Sequence, residues 1–120
     1  MKLEMPRLLL VAAGLVGACG VAAAAASSHV TGSRNLAAIA AICLSHGPAL
    51  LALSLYGQSR SMLIAGYGLA LGTVLFVADL GLREWIGHGA FPGTAPLGGG
   101  LMILGWLGAG VAGLFLARKN

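Results

Sequence analysis

Two side chains that could do chemistry fall inside long apolar stretches of the sequence: His46 and Asp79. An ionisable group is costly to place in hydrocarbon, so residues of this kind are functional-site hypotheses in a chain that crosses a membrane. His46 lies about ten residues into the apolar stretch 36–56, which at the helical rise places it roughly 15 Å deep. At that depth an imidazole can carry a proton, ligate a haem or a metal, or hydrogen-bond to a neighbouring helix.

The residues around His46 favour the last of these roles. Cys43 lies one turn earlier on the same helical face, but two side chains are fewer than the several ligands that usual metal sites need. Pro48 removes the backbone donor for the carbonyl of Leu44, which predicts a kink. The side chain of Ser45 or His46 can then satisfy freed backbone groups. We therefore predict a neutral histidine hydrogen-bonded across the helices, with no metal and no cofactor; a haem or metal ligand is the alternative.

Asp79 is the only acidic residue within the apolar stretches. It follows Gly72 by two helical turns, so it should share the face of that glycine and point into the protein. Arg83 comes one turn later, and an Asp–Arg pair at this spacing favours a structural clamp, with a proton or cation site as the alternative. His29 is expected at the same boundary, where polar loops either are solvated or bind a headgroup, a quinone or a partner.

The elements that position these residues follow from composition. The chain has 120 residues, of which 58% are hydrophobic and 8% are charged, too few polar side chains to cover a water-soluble globule. Four apolar stretches have about the 20 residues that a membrane-spanning helix needs. They lie at about 8–26, 36–56, 62–82 and 97–117. We predict a single domain over 1–120: an all-α polytopic membrane protein, a bundle of four transmembrane helices with short loops.

The first apolar stretch has a second interpretation. Lys2 and Arg7 followed by an apolar run resemble a secretory signal, and Val16-Gly17-Ala18-Cys19 resembles a lipoprotein cleavage box. The chain nevertheless stays apolar through Ala26, which gives the stretch full spanning length. We expect a retained helix.

Basic residues at the ends of the stretches predict the orientation. With four spans, five of the seven lie on one side: Lys2, Arg7, Arg60, Arg118 and Lys119. Only Arg34 and Arg83 lie opposite. The positive-inside rule then places both termini in the cytoplasm. Because the charges do not form one patch, the sequence predicts no nucleic-acid partner.

Small residues at helical spacing predict close contacts between helices. Gly68 and Gly72 form a GxxxG pair, and the last span repeats Gly105, Ala109 and Gly113 at every fourth position. Gly17 continues a similar pattern in the first span. Such residues let helix backbones approach closely inside lipid. Packing within one bundle is the interpretation that we favour, and homodimerisation through one of these faces is the alternative.

The sequence contains no catalytic signature. GxxxxGK, HExxH, GxSxG and CxxC motifs are all absent, so the usual phosphate-binding, metalloprotease, hydrolase and zinc patterns are missing. Cys19 and Cys43 both lie within apolar stretches and predict no disulfide framework. We expect no enzyme activity.

The start of the fourth span resembles a signature of the YgdD-like family of small membrane proteins, a domain of unknown function. Residues 95–106 read APLGGGLMILGW, beside a family pattern of a Thr-Pro-Ile-Gly-Gly type turn followed by Leu-Gly-Trp. The matching positions are Pro96, Gly98, Gly99, Gly105 and Trp106. The resemblance extends to Ala26-Ser27-Ser28-His29 and to the histidine of the second span, whereas Gly47-Pro48 and Asp79 depart from the family. It implies a bacterial inner-membrane bundle with a retained first span, and implies no activity.

These observations lead to one expectation of function and two alternatives. We expect a non-catalytic structural or accessory component that lies in the lipid bilayer and packs with itself or with a larger membrane complex. The first alternative is a proton, ion or small-molecule conduit that uses His46 and Asp79. The second is a redox enzyme subunit, which requires bound haem or quinone. Gly98–Gly100 also leave an alternative for the start of the fourth helix, a lipid or anion recess at its free amides.

Overall fold

The computed structural model of the chain describes residues 4–89 and 92–116. Its four α-helices are α1 (Glu4–Ala26), α2 (Arg34–Ser54), α3 (Arg60–Ile86) and α4 (Thr94–Leu114), and a short π-helical turn (Ser27–Thr31) extends α1. All four are long and apolar enough to cross a membrane. The prediction of an all-α chain with four such helices is confirmed.

The helix ends lie where the local sequence supplies a cap or a left-handed residue. Ser33 precedes α2, and its hydroxyl accepts a hydrogen bond from the amide of Leu36 at 3.3 Å. Ser59 caps α3 in the same way. Gly87 ends α3 and Gly93 precedes α4, both with positive φ (84° and 91°), a conformation that glycine adopts without strain.

The helices pack in sequence order, α1 on α2, α2 on α3 and α3 on α4. α1 also meets α3 near its start, where Leu9 is fully buried and packs against Gly66. Pro6 contacts Gly57 in the α2–α3 turn, which places the start of α1 and that turn at one end of the bundle, the terminal end. The opposite end, which carries residues 27–33, the end of α3 and the start of α4, is the loop end.

Of the basic residues that predict orientation, Arg7 and Arg60 lie at the terminal end and Arg34 and Arg83 at the loop end. The remaining three, Lys2, Arg118 and Lys119, lie outside the described residues. The charges that can be placed therefore keep the two sides that the sequence assigned to them.

Candidate functional site

His46 lies at the centre of the best-defined polar contact between the helices. Its side chain is 6% exposed. The Nε2 atom lies 3.1 Å from the indole Nε1 of Trp106 in α4, and Nδ1 lies 2.9 Å from the carbonyl oxygen of Ile42. An indole nitrogen can only donate, so Nε2 accepts and carries no proton. The ring is therefore the neutral tautomer with its proton on Nδ1, which donates to Ile42.

The same geometry decides what His46 can do chemically. Both ring nitrogens are engaged by groups of the chain itself, and the two rings meet edge to face with centroids 5.7 Å apart and planes at 72°. A metal or haem iron at Nε2 would have to displace the indole of Trp106. Among the described residues, no three His, Cys, Asp or Glu side chains converge in a way that could hold a metal ion.

Trp106 is the partner of His46 that sequence reasoning missed. The sequence places it in the last span as part of a motif, 60 residues from His46, with nothing local to connect the two. One signal could have pointed to it: an indole N–H deep in a span needs an acceptor, and His46 is the acceptor predicted at mid-span. The hydrogen bond ties α4 to α2, although these two helices make no direct backbone contact.

The polar break around Pro48 is accommodated without interrupting the helix. α2 runs continuously through Pro48. The hydroxyl of Ser45 donates to the carbonyls of Ala41 and Ile42, at 2.9 and 3.0 Å. These carbonyls lie three and two residues before the carbonyl of Leu44, which is the one that Pro48 deprives of its helical donor. Ser45 and His46 thus bond to backbone carbonyls, but not to the freed carbonyl that they were expected to satisfy.

Asp79 and Arg83 form the predicted ion pair at the loop end of α3. The guanidinium Nε of Arg83 donates to Oδ2 of Asp79 at 2.9 Å, and the carboxylate is fully buried while the Arg83 side chain is 48% exposed. Gly89 in the following loop lies directly against Asp79, because a Cβ atom there would overlap the carboxylate oxygen Oδ1. The loop end thus covers the carboxylate with backbone and with its own arginine.

A second polar contact at the loop end joins α3 to the start of α2. Glu84 accepts a short hydrogen bond from the hydroxyl of Ser33, and Nδ2 of Asn35 lies 3.5 Å from the same carboxylate oxygen. The Ser33 hydroxyl also caps α2. One side chain therefore links the cap of α2 to the last turns of α3, an interaction that local spacing did not predict.

His29, which was expected at this boundary, and two further side chains near it stay at the surface. His29 is exposed, Trp85 is 76% exposed, and His88 is exposed with its Nδ1 2.9 Å from the carbonyl of Gly89. They join neither the Asp79–Arg83 pair nor the Glu84 contact in the hydrogen bonds described. Trp85 at a helix end has the position of an interfacial anchor.

The glycine stripes of α3 and α4 face each other within the chain. A Cβ atom at Gly72 would lie 2.7 Å from the carbonyl oxygen of Gly98, and one at Gly98 would lie 2.8 Å from the carbonyl oxygen of Gly72. Gly68 faces Gly105, with 3.8 Å between its virtual Cβ and the Cα of Gly105. Farther along α4, a Cβ atom at Gly113 would lie 3.9 Å from the Cε atom of Met62. Ala109 packs against the core. These positions serve the intramolecular contact.

The glycines of α1 divide between the inside and the outside of the bundle. A Cβ atom at Gly47 in α2 would lie 3.1 Å from the backbone of Gly17, so α1 and α2 touch there. Gly14, and likewise Gly99, Gly100 and Gly110 of α4, face open space. The family-motif glycine Gly99 thus differs from its neighbour Gly98, which is buried against α3.

Every buried side-chain nitrogen or oxygen in the described part of the chain has a hydrogen-bond partner. The cleft between α1, α2 and α3 is apolar and has a volume of about 260 Å³; Cys19, Cys43, Thr73 and Val77 are among its lining residues.

In the comparisons with known proteins, no family model and no solved structure matches the chain.

Proposed function

We propose that this protein is a non-catalytic component of the bacterial inner membrane, with both termini in the cytoplasm, that packs through α1 and α4 against a larger membrane complex or a second copy. The observation that carries the proposal is that the intramembrane polar residues bond to groups of the chain itself. His46 bonds to Ile42 and Trp106, and Asp79 pairs with Arg83. The His46–Trp106 bond joins α2 to α4 and the Asp79–Arg83 pair lies within α3, so both groups stabilise the chain's own structure.

The outer helices support the choice of packing surface. Over the most apolar 18-residue segment of each helix, 22% of the residues of α4 and 28% of those of α1 are buried, against 44% for α2. Gly14 on α1 and Gly110 on α4 open outward, where a second helix can approach a backbone closely. The face of Gly68 and Gly72, for which homodimerisation was the alternative to packing within the bundle, lies against α4 within the chain.

Membership of the YgdD-like family is part of the same proposal. It rests on the match between residues 95–106 and the family signature, and that segment forms the first half of α4. Pro96 lies in the first turn of this helix, where its missing amide proton leaves no helical bond unmade. The inner-membrane location and the orientation rest on that resemblance and on the basic residues.

The conduit hypothesis is less well supported because its two residues lie apart. Ser33 at the start of α2 contacts Glu84 near the end of α3, which aligns the two helices. His46 is 13 residues beyond Ser33, and Asp79 is five residues before Glu84. At about 1.5 Å per residue the two side chains therefore differ by about 12 Å along the bundle. No chain of polar side chains is described between them.

The proposal is tested by purifying the tagged protein, at its native expression level, in mild detergent and identifying what remains bound by mass spectrometry. We expect reproducible recovery with a larger membrane complex or as a homo-oligomer. Gly14→Leu or Gly110→Leu should abolish this association and leave a folded protein, because both side chains would project from the outer faces. Ala52→Leu, on an exposed position of α2, is the matched control and should leave association unchanged.

Recovery of a monomer with nothing bound would contradict the proposal. The conduit hypothesis then makes a separate prediction, a proton or ion flux in proteoliposomes that His46→Gln abolishes without loss of folded protein. Under our proposal the natural chain and the His46→Gln variant give the same background flux.

A further inference from the structure

The cleft between α1, α2 and α3 contains the chain's two cysteines. Both are free thiols, Cys43 almost completely buried and Cys19 exposed. They come from different helices and line the same cleft. The remaining lining is apolar apart from Thr73, whose hydroxyl donates to the carbonyl of Leu69.

The backbones of α1 and α2 approach closely beside the two cysteines. A Cβ atom at Gly20, next to Cys19, would lie 3.0 Å from the Cβ atom of Cys43. One helical turn away, α1 and α2 also touch through Gly17 and Gly47. A disulfide needs Cα atoms about 4.4–6.8 Å apart, which two helices reach only when small residues lie between them.

We propose that Cys19 and Cys43 are a modification site, at which a membrane-dissolved quinone oxidises the two thiols to a disulfide that joins α1 to α2. Each thiol loses its S–H bond and one S–S bond forms. The two electrons and two protons pass to the quinone, which leaves as a quinol. This inference requires that the helices lie in a membrane, and it is independent of what the protein associates with.

The position of the pair selects the class of oxidant. Cys43 lies nine residues into α2, or roughly 13 Å from its start, and is surrounded by hydrocarbon side chains. Charged oxidants such as glutathione disulfide do not enter that environment at acceptable cost. A quinone, its quinol, two thiols and a disulfide are all neutral. No charged reactant therefore has to enter the hydrocarbon, and no charged product remains in it.

The shape of the cleft determines which sulfur the oxidant meets. Cys43 is 1% exposed, whereas Cys19 faces the opening. The volume of about 260 Å³ is slightly below the range of about 300–1,000 Å³ for pockets that hold drug-sized ligands, which suits a single ring. The quinone is expected to meet Cys19 first, and the Cys19 sulfur adds to a carbonyl carbon of the quinone. The sulfur of Cys43 then displaces the quinone from Cys19, so the S–S bond forms as the quinol leaves.

The test uses the full chain, reduced and reconstituted in liposomes, with a benzoquinone that carries a decyl chain as the probe. After the reaction the protein is unfolded in SDS, alkylated with N-ethylmaleimide and weighed intact. We expect monomeric protein that has lost two hydrogens and takes up no maleimide. The untreated protein should take up two.

The control moves one thiol around α1. The chain still has two thiols, and the moved thiol stays within one residue of its natural depth. In the double variant Cys19→Ser, Ala18→Cys, the new thiol lies about 100° around α1 from the natural one, on an exposed position. Because the shifted thiol points away from the cleft that contains Cys43, disulfide formation should be about tenfold faster, or more, in the natural chain. Two alkylated thiols after treatment, an equal rate in the shifted variant, or a dimer linked through Cys19 would each overturn the inference.

Discussion

Replacing Gly98 by alanine tests how α3 and α4 are held together. A Cβ atom at this position would lie 2.7 Å from the backbone nitrogen of Phe76 and 2.8 Å from the carbonyl oxygen of Gly72. Ordinary contact begins at 3.4 Å, so the two helices must separate locally by about 0.7 Å. Both obstructing atoms are backbone, and no side-chain rotation can relieve them.

The magnitude follows from comparison with Gly99→Ala, one residue further along the same helix turn. A Cβ atom at Gly99 meets nothing within 4 Å. Both substitutions gain the higher helix propensity of alanine, up to about 1 kcal/mol in aqueous helices, and this contribution cancels in the difference. What remains is the overpacking cost, typically about 1–3 kcal/mol. We expect the free energy of unfolding of Gly98→Ala to be lower than that of Gly99→Ala by this amount.

The assay is reversible unfolding in mixed micelles with an increasing fraction of SDS, followed by far-ultraviolet circular dichroism and tryptophan fluorescence. Because Trp106 lies in α4 and contacts α2, its emission should also shift when α4 moves in the Gly98→Ala variant. Equal stabilities of the two alanine variants, within about 0.5 kcal/mol, the usual limit for a neutral surface substitution, would refute the conclusion that backbone contact at Gly98 sets the spacing of α3 and α4.

Three further substitutions test the polar contacts. Trp106→Phe keeps an aromatic ring but removes the donor to His46; we expect a loss of about 0.6 kcal/mol and at most about 1.7 kcal/mol, the average and the largest value for hydrogen bonds between membrane helices, in the same SDS unfolding assay. Gly89→Ala should weaken the cover over Asp79, because the added methyl group overlaps its carboxylate, and should speed amide exchange in the 87–89 segment. Ser33→Ala removes the cap of α2 together with the donor to its acidic partner on α3; we expect a loss of about 1 kcal/mol and faster amide exchange in the first turn of α2.

Each of these changes has a control elsewhere in the chain. Trp85→Phe should leave the unfolding midpoint unchanged, since that side chain is 76% exposed. Gly14→Ala should be neutral or stabilising because its added methyl group meets open space. Ser28→Ala is the control for the cap, as Ser28 is exposed in the turn after α1. A control that lost as much stability as its partner variant would show that the contact is not the cause.

The sequence predicts the architecture because few backbone structures can cross the hydrocarbon of a membrane. Four runs of about 20 apolar residues can only be helices, and four helices are present. Their ends differ from the apolar boundaries because backbone bonding continues through polar residues until a cap or a left-handed glycine intervenes. α3 therefore continues past Arg83 to Ile86 and ends at Gly87.

Contacts within one helix could be predicted from spacing, and contacts between helices could not. Asp79 and Arg83 are four residues apart on α3, so helical geometry alone brings them together. The contact of Trp106 with His46 depends on how α4 is rotated about its own axis. Hydrophobic periodicity indicates little about that rotation here. Lipid and protein neighbours are equally apolar, so every face of the helix has a similar hydrophobicity.

The backbone contact between α3 and α4 determines the rotation of α4. At Gly72 and Gly98 the carbonyl of each residue lies against the other helix, at a depth and rotation of α4 that a larger residue at either position would obstruct. In that arrangement Trp106, two turns beyond Gly98 on α4, reaches Nε2 of His46. The glycine contact is thus the reason that a donor in the last helix finds an acceptor in the second. A variant that separates α3 from α4 should weaken the His46–Trp106 hydrogen bond without altering either residue.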